Sequence, residues 1–108
     1  MHYLVTGHDH PGELGRRRRA AAREEHLAHL GSVDGARPLF GAAMLDEDGQ
    51  MVGSVLVMDA EDRAALQAWL DVEPYVVADV WAEVTVQPCQ VAQGFLAQTR
   101  KPEDPSES

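Results

Sequence analysis

His26 is the side chain in this sequence best suited to move a proton at neutral pH, and it stands in the segment Arg23-Glu24-Glu25-His26-Leu27 with Arg19 seven positions and Arg23 three positions before it. An imidazole can act as acid and as base near pH 7. Either arginine could hold an anionic group of a substrate close to that ring. With about 100° of rotation per helical residue, Ala20, Leu27 and Leu30 form one apolar stripe, Arg23 falls within it, and Arg19 and His26 run along its edge. His29 lies further round, nearer solvent. Such an edge lets His26 reach a cleft while the helix stays anchored. Spacing alone leaves open that His26 merely packs at the helix edge with one nitrogen satisfied, and that the arginines form a solvated face beside Glu24 and Glu25.

Three other groups invite chemical readings. His8-Asp9-His10 supplies at most two imidazole ligands on one loop with no evident third, so a turn is expected there and no metal. Arg16 to Arg19 is a run of four arginines, but it sits in a chain of net charge −9 with aromatic residues at only 6%, which opposes nucleic-acid binding. Cys89 follows Pro88 with no cationic surroundings to lower its thiol pKa, and is read as structural.

These residues belong to a chain of 108, of which 44% are apolar and 25% charged, the make-up of one folded domain. One cysteine excludes an internal disulfide. The apolar runs fall well short of the roughly 20 residues of a membrane span, and no basic-then-apolar leader opens the sequence. A cytoplasmic protein with no membrane partner and no cofactor is expected.

The elements that must position His26 follow from patterning. His2 to Gly7 reads as a strand, Leu14 to about Leu30 as a helix stopped by Gly31, and Leu39–Leu45 and Met51–Met58 as a hairpin around the Asp48-Gly49 turn. Asp59 is expected to cap a second helix whose face is Ala65, Leu66, Trp69 and Leu70, ended near Asp71 by the Glu73-Pro74 step. Val80 to Gln87 alternates as a last strand. The order βαββαβ predicts an α+β, ferredoxin-like fold with a four-stranded antiparallel sheet and both helices on one face. The third strand is apolar on both faces, so a homodimer through the open sheet face is expected, the alternative being that loops and the C-terminal segment cover it. Residues 1–92 are taken as the domain and 93–108 as an extension, with Phe95 and Leu96 as its anchors and the last eight residues as a solvated tail.

Four segments carry a resemblance: Tyr3-Leu4-Val5-Thr6-Gly7, Arg23 to Leu27, Gly53-Ser54-Val55-Leu56-Val57 and Trp69-Leu70-Asp71-Val72-Glu73-Pro74-Tyr75. In this order they resemble the YciI-like family, or YCII-related domain, over roughly residues 1 to 90. The resemblance implies a dimeric α/β barrel, similar in architecture to muconolactone isomerase. It also implies a site around a histidine of the first helix and an aspartate in an Asp-Pro-Tyr or Asp-Pro-Phe motif. His26 matches the histidine. The aspartate falls on Glu73, one methylene longer, with Asp71 as the fallback carboxylate. Ser54 matches a polar position able to face the site, and Phe40-Gly41-Ala42 stands where many relatives carry Ala-Gly-Pro, which reshapes the pocket wall.

The resulting expectation is a pocket with His26 and Glu73 as the acid/base pair and Arg19, Arg23, Ser54 and Tyr75 around the substrate. Glu73 would hold one imidazole tautomer and leave the other nitrogen to act. The chemistry would be of lyase, isomerase or hydrolase type on a small acid or carbonyl compound. The competing readings are a noncatalytic ligand-binding or interaction module on the same scaffold, and a structural partner of another enzyme.

Overall fold

A computed structural model describes residues 1–31 and 35–99, the last three as backbone only. The expected order is present: β1 (His2–Asp9), α1 (Gly12–Leu30), β2 (Ala36–Leu45), β3 (Met51–Ala60), α2 (Arg63–Asp71) and β4 (Trp81–Cys89). Two short helices are added, α3 (Pro74–Val77) and α4 (Gln93–Thr99). Strand order is β2-β3-β1-β4, with every neighbouring pair antiparallel, so β1-α1-β2 is a split βαβ unit with β3 inserted between its strands. The fold is α+β and ferredoxin-like. The eight-residue tail placed at 101–108 lies outside the described residues.

Local chemistry sets the boundaries. Gly31 closes α1 by donating its N–H to the carbonyls of Ala28 and His29. Asp46 shapes the β2–β3 turn, its Oδ1 accepting from the N–H groups of Asp48 and Gln50, while Gly49 takes the positive φ of 79° the turn requires. The cap of α2 is Asp62 rather than Asp59: Asp62 Oδ1 accepts from Ala65 N at 2.8 Å, whereas Asp59 is still paired in β3, opposite His2. α3 was not anticipated. There Glu73 is the N-cap and Pro74 the first helical residue, so the dipeptide read as a helix stop is also a helix start.

One face of the sheet carries Tyr3, Val5, Leu56 and Met58, all at most 3% exposed, beneath Leu66, Trp69 and Leu70 of α2. The absence of side chains at two glycines brings elements together. A Cβ on Gly7 would be driven into the Trp81 indole, and one on Gly15 into the carbonyl of His10, which lets α1 lie close to the end of β1. The opposite face carries Leu4, Thr6, Val55, Val57 and Phe40, in register across β1, β3 and β2, with Phe40 60% exposed.

The helix α1 departs from the expected orientation. Its buried residues are Gly15, Arg19, Ala22 and His26, while Ala20 and Leu27 are exposed. The stripe turned inward lies roughly a quarter turn from the apolar one. It is stabilised by specific polar pairing, which hydrophobic periodicity does not register.

Candidate functional site

Glu73 sits where α2 ends and α3 begins, and the cap geometry turns its side chain inward until none of the residue is exposed. Its Oε1 accepts a hydrogen bond from Tyr75 N at 3.2 Å and is hydrogen-bonded to His26 Nδ1. Against a carboxylate acceptor, Nδ1 is the donating nitrogen. Oε2 lies 3.6 Å from His29 Nε2, beyond hydrogen-bond range, and His29 Nε2 donates instead to the carbonyl of Trp69 at 3.1 Å. Asp71 is exposed and accepts from Gln67 at 2.8 Å, so Glu73 supplies the carboxylate at His26.

Two aromatic rings fix the imidazole. Tyr75, two residues past Glu73, stacks on His26 with centroids 3.8 Å apart and planes 9° from parallel. Trp81 meets both edge-on, with centroids 5.6 Å from Tyr75 and 6.3 Å from His26. His26 Nε2 has no hydrogen-bond partner among the described residues, and the residue lines a hollow of about 290 Å³ between α1, β2 and β3. The hollow exists because the wall of β2 is built from Gly41, Ala42 and Ala43, which put no bulk beneath α1.

Arg19 reaches into the same hollow, already committed. Asp9, at the end of β1, grips it with two hydrogen bonds, Nε to Oδ2 at 2.6 Å and Nη2 to Oδ1 at 3.0 Å, and Nη2 also donates to Ser54 Oγ at 2.8 Å. The two side chains are only 8% and 3% exposed. Burial disfavours the charge on Arg19, but the Asp9 carboxylate outweighs it and holds the guanidinium above its ordinary pKa. Its carbon stands 4.8 Å from the centre of the Tyr75 ring. Burial pushes the Tyr75 phenol up, with Arg19 and Arg23 pulling the other way, so the hydroxyl stays protonated past its usual range and remains able to donate.

The structure thus brings His26, Glu73, Tyr75, Arg19 and Ser54 into one connected cluster, with Arg23 exposed at its mouth. Glu73 lies behind His26 rather than on the wall. Sequence reasoning missed Asp9, Trp81 and His29. The loop expected at His8-Asp9-His10 is in part strand: β1 runs through Asp9, Asp9 faces Arg19, and His10 Nε2 is 3.0 Å from Asp79 Oδ1. Among the described residues, no group of three potential ligands is close enough to hold a metal. A buried arginine needs a buried acid, and that rule applied to Arg19 could have pointed to Asp9.

Residues 1–90 match the YCII-related domain. The chain belongs to the YCII-related, YciI-like family. An uncharacterized protein of Haemophilus influenzae is 34% identical over 95 residues, spanning 82% of this chain and 95% of the relative. The protein YciI of Escherichia coli is 33% identical with the same coverage. Among solved structures, the 5-chloro-2-hydroxyhydroquinone dehydrochlorinase TftG of Burkholderia phenoliruptrix, in complex with 2,5-dihydroxybenzoquinone, superimposes with a TM-score of 0.65 at 26% identity, over 87% of this chain and 98% of its own.

Within this YciI-like chain, the Asp9–Arg19 pair is expected to hold the site together. Arg19→Met leaves a carboxylate buried without a partner and should lower the unfolding free energy by about 3–5 kcal/mol in urea titrations. Adding Asp9→Asn should recover most of that loss. A loss under about 1 kcal/mol, the size of a surface pair, would show that the ion pair is not buried in solution.

Proposed function

We propose that this YciI-like chain is an enzyme that uses His26 as a general base and acid, oriented by Glu73, on a small acid or carbonyl compound. The observation that carries this reading is the division of the imidazole: Nδ1 is tied to a fully buried carboxylate, and the ring opens on the other side to a hollow. Glu73 sets the tautomer and stabilises the imidazolium when it forms. Nε2 then takes a proton from the substrate. The electron pair released either expels a leaving group, as in an elimination, or shifts within the substrate, as in an isomerisation, and His26 returns the proton to the product or to solvent. Tyr75 O–H, on the wall of the same hollow, is the donor next to a developing oxyanion. The likeness to a dehydrochlorinase bound to a dihydroxybenzoquinone favours elimination on a hydroxylated ring carbonyl.

The assembly belongs to the same proposal. Leu4, Val55 and Val57 are half-buried and Phe40 is exposed on a sheet face that no described element covers, and a second copy of residues 1–92 would bury it. Light scattering should then give about twice the 11.8 kDa of one chain, and Phe40→Asp combined with Val57→Asp should halve it. A parent protein that stays at 11.8 kDa at high concentration contradicts the dimer.

The chemistry is tested by following proton exchange in D₂O, and halide release, over a panel of halogenated hydroquinones, lactones and 2-oxo acids. His26→Asn should slow turnover of any substrate found by about 10²- to 10⁴-fold. Glu73→Gln, which keeps an acceptor for the α3 cap, should also slow it. An Asn variant that turns over the substrate as fast as the parent overturns the proposal.

A further inference from the structure

The hollow beside His26 does not end at Arg23. A second hollow of about 360 Å³ is lined by Arg16, Arg19, Ala20 and Arg23 of α1, by Gly49 and Gln50 of the β2–β3 turn and by Met51 at the start of β3. It shares Arg19, Arg23 and Met51 with the first, so the two form one cleft running along α1. At about 1.5 Å per residue, Arg23 lies one turn from His26, and Arg16 two turns further back.

The cations of this cleft are unequal. Arg19 is held by Asp9 and Ser54, so its charge is already met. Arg16 and Arg23 form no ion pair or hydrogen bond with any described residue. The two acids that line a neighbouring hollow together with Arg16 are engaged elsewhere: both oxygens of Asp9 bind Arg19, and Asp46 Oδ1 binds the N–H groups of Asp48 and Gln50 in its own turn. In a chain of net charge −9, two unmatched guanidiniums facing one groove, with Ala20 and the Asp9-bound Arg19 between them, are a place where an anion is stabilised. The turn that forms the far wall is held by the backbone bonds Asp46 N to Gln50 O at 2.9 Å and Gly49 N to Asp46 O at 3.0 Å.

We infer that Arg16 and Arg23 together bind a terminal anionic group of the substrate, a carboxylate or a phosphate, so that its reacting carbon lies at His26 one to three turns along the cleft. This rests on the proposed role of His26 and names the substrate class: a carbonyl or enol compound bearing an anionic group at the end remote from the reacting carbon. It also reassigns the anion from Arg19, whose guanidinium is occupied, to Arg16.

The test is calorimetric titration of the full chain with succinate in one arm and inorganic phosphate in the other, at fixed ionic strength. Arg16→Gln/Arg23→Gln should weaken binding of at least one probe tenfold or more, and Arg17→Gln, on the exposed side of α1, should leave it within twofold. The arm that binds tighter identifies the anion as carboxylate or phosphate. His26→Asn should keep the parent affinity while losing turnover, which separates this inference from the proposed chemistry. If neither probe binds the parent more tightly than the double variant, the inference falls even where His26-dependent turnover is found. Thermal unfolding of the Arg16→Gln/Arg23→Gln variant, expected near the parent midpoint because both arginines are exposed and unpaired, shows that loss of binding is not loss of fold.

Discussion

A carboxylate with no exposed surface is costly unless its charge is answered where it lies, and Glu73 is such a group. The answer reaches Oε1 from two directions, while Oε2 has no hydrogen-bond partner among the described residues and lies 3.6 Å from His29 Nε2. The backbone supplies the Tyr75 N–H through the cap of α3, and α1 supplies the His26 ring. Neither is a free choice once the other is in place, because the cap decides where the carboxylate points, and the carboxylate decides which imidazole nitrogen faces it. Tyr75 and Trp81 then close around the ring, and Trp81 fits only because residue 7 is glycine.

The same device is used once more on α1. Arg19 is buried against Asp9 as His26 is buried against Glu73, and the two are seven residues apart, two turns on one stripe. The helix therefore docks through paired polar groups at sites where a purely apolar face would need only area. Pairing of this kind fixes rotation and register, because a helix turned by a quarter turn would leave Asp9 and Glu73 without partners inside the protein. Leu27 is thereby left at the rim of the hollow, 49% exposed. The opening beside His26 and the ring's fixed tautomer thus come from one packing arrangement.

Much of this was legible in the sequence and some was not, for physical reasons. Strand alternation and turn residues marked β1, the β2–β3 hairpin and β4, since a sheet with one covered face imposes a period of two. The face of α2 was legible because Leu66, Trp69 and Leu70 are buried by area alone. The face of α1 was not, because periodicity weighs Arg19 and His26 as outward groups. α3 was hidden by Pro74, whose effect as a breaker and as a first helical residue depends on whether the preceding side chain can cap. Asp9 looked like a loop acid among turn residues until Arg19 was seen to need it. Family resemblance supplied Glu73, and the structure shows that its extra methylene does not keep it from His26.

The proposed chemistry depends on which nitrogen of His26 carries the proton. Long-range ¹H–¹⁵N correlation of the imidazole, recorded where the ring is neutral, reads this directly. The expected spectrum has Nδ1 protonated and Nε2 bare, with the assignment lost or mixed in Glu73→Gln. A neutral ring protonated at Nε2 in the parent protein would contradict it, since the nitrogen facing the cleft could not then accept a proton.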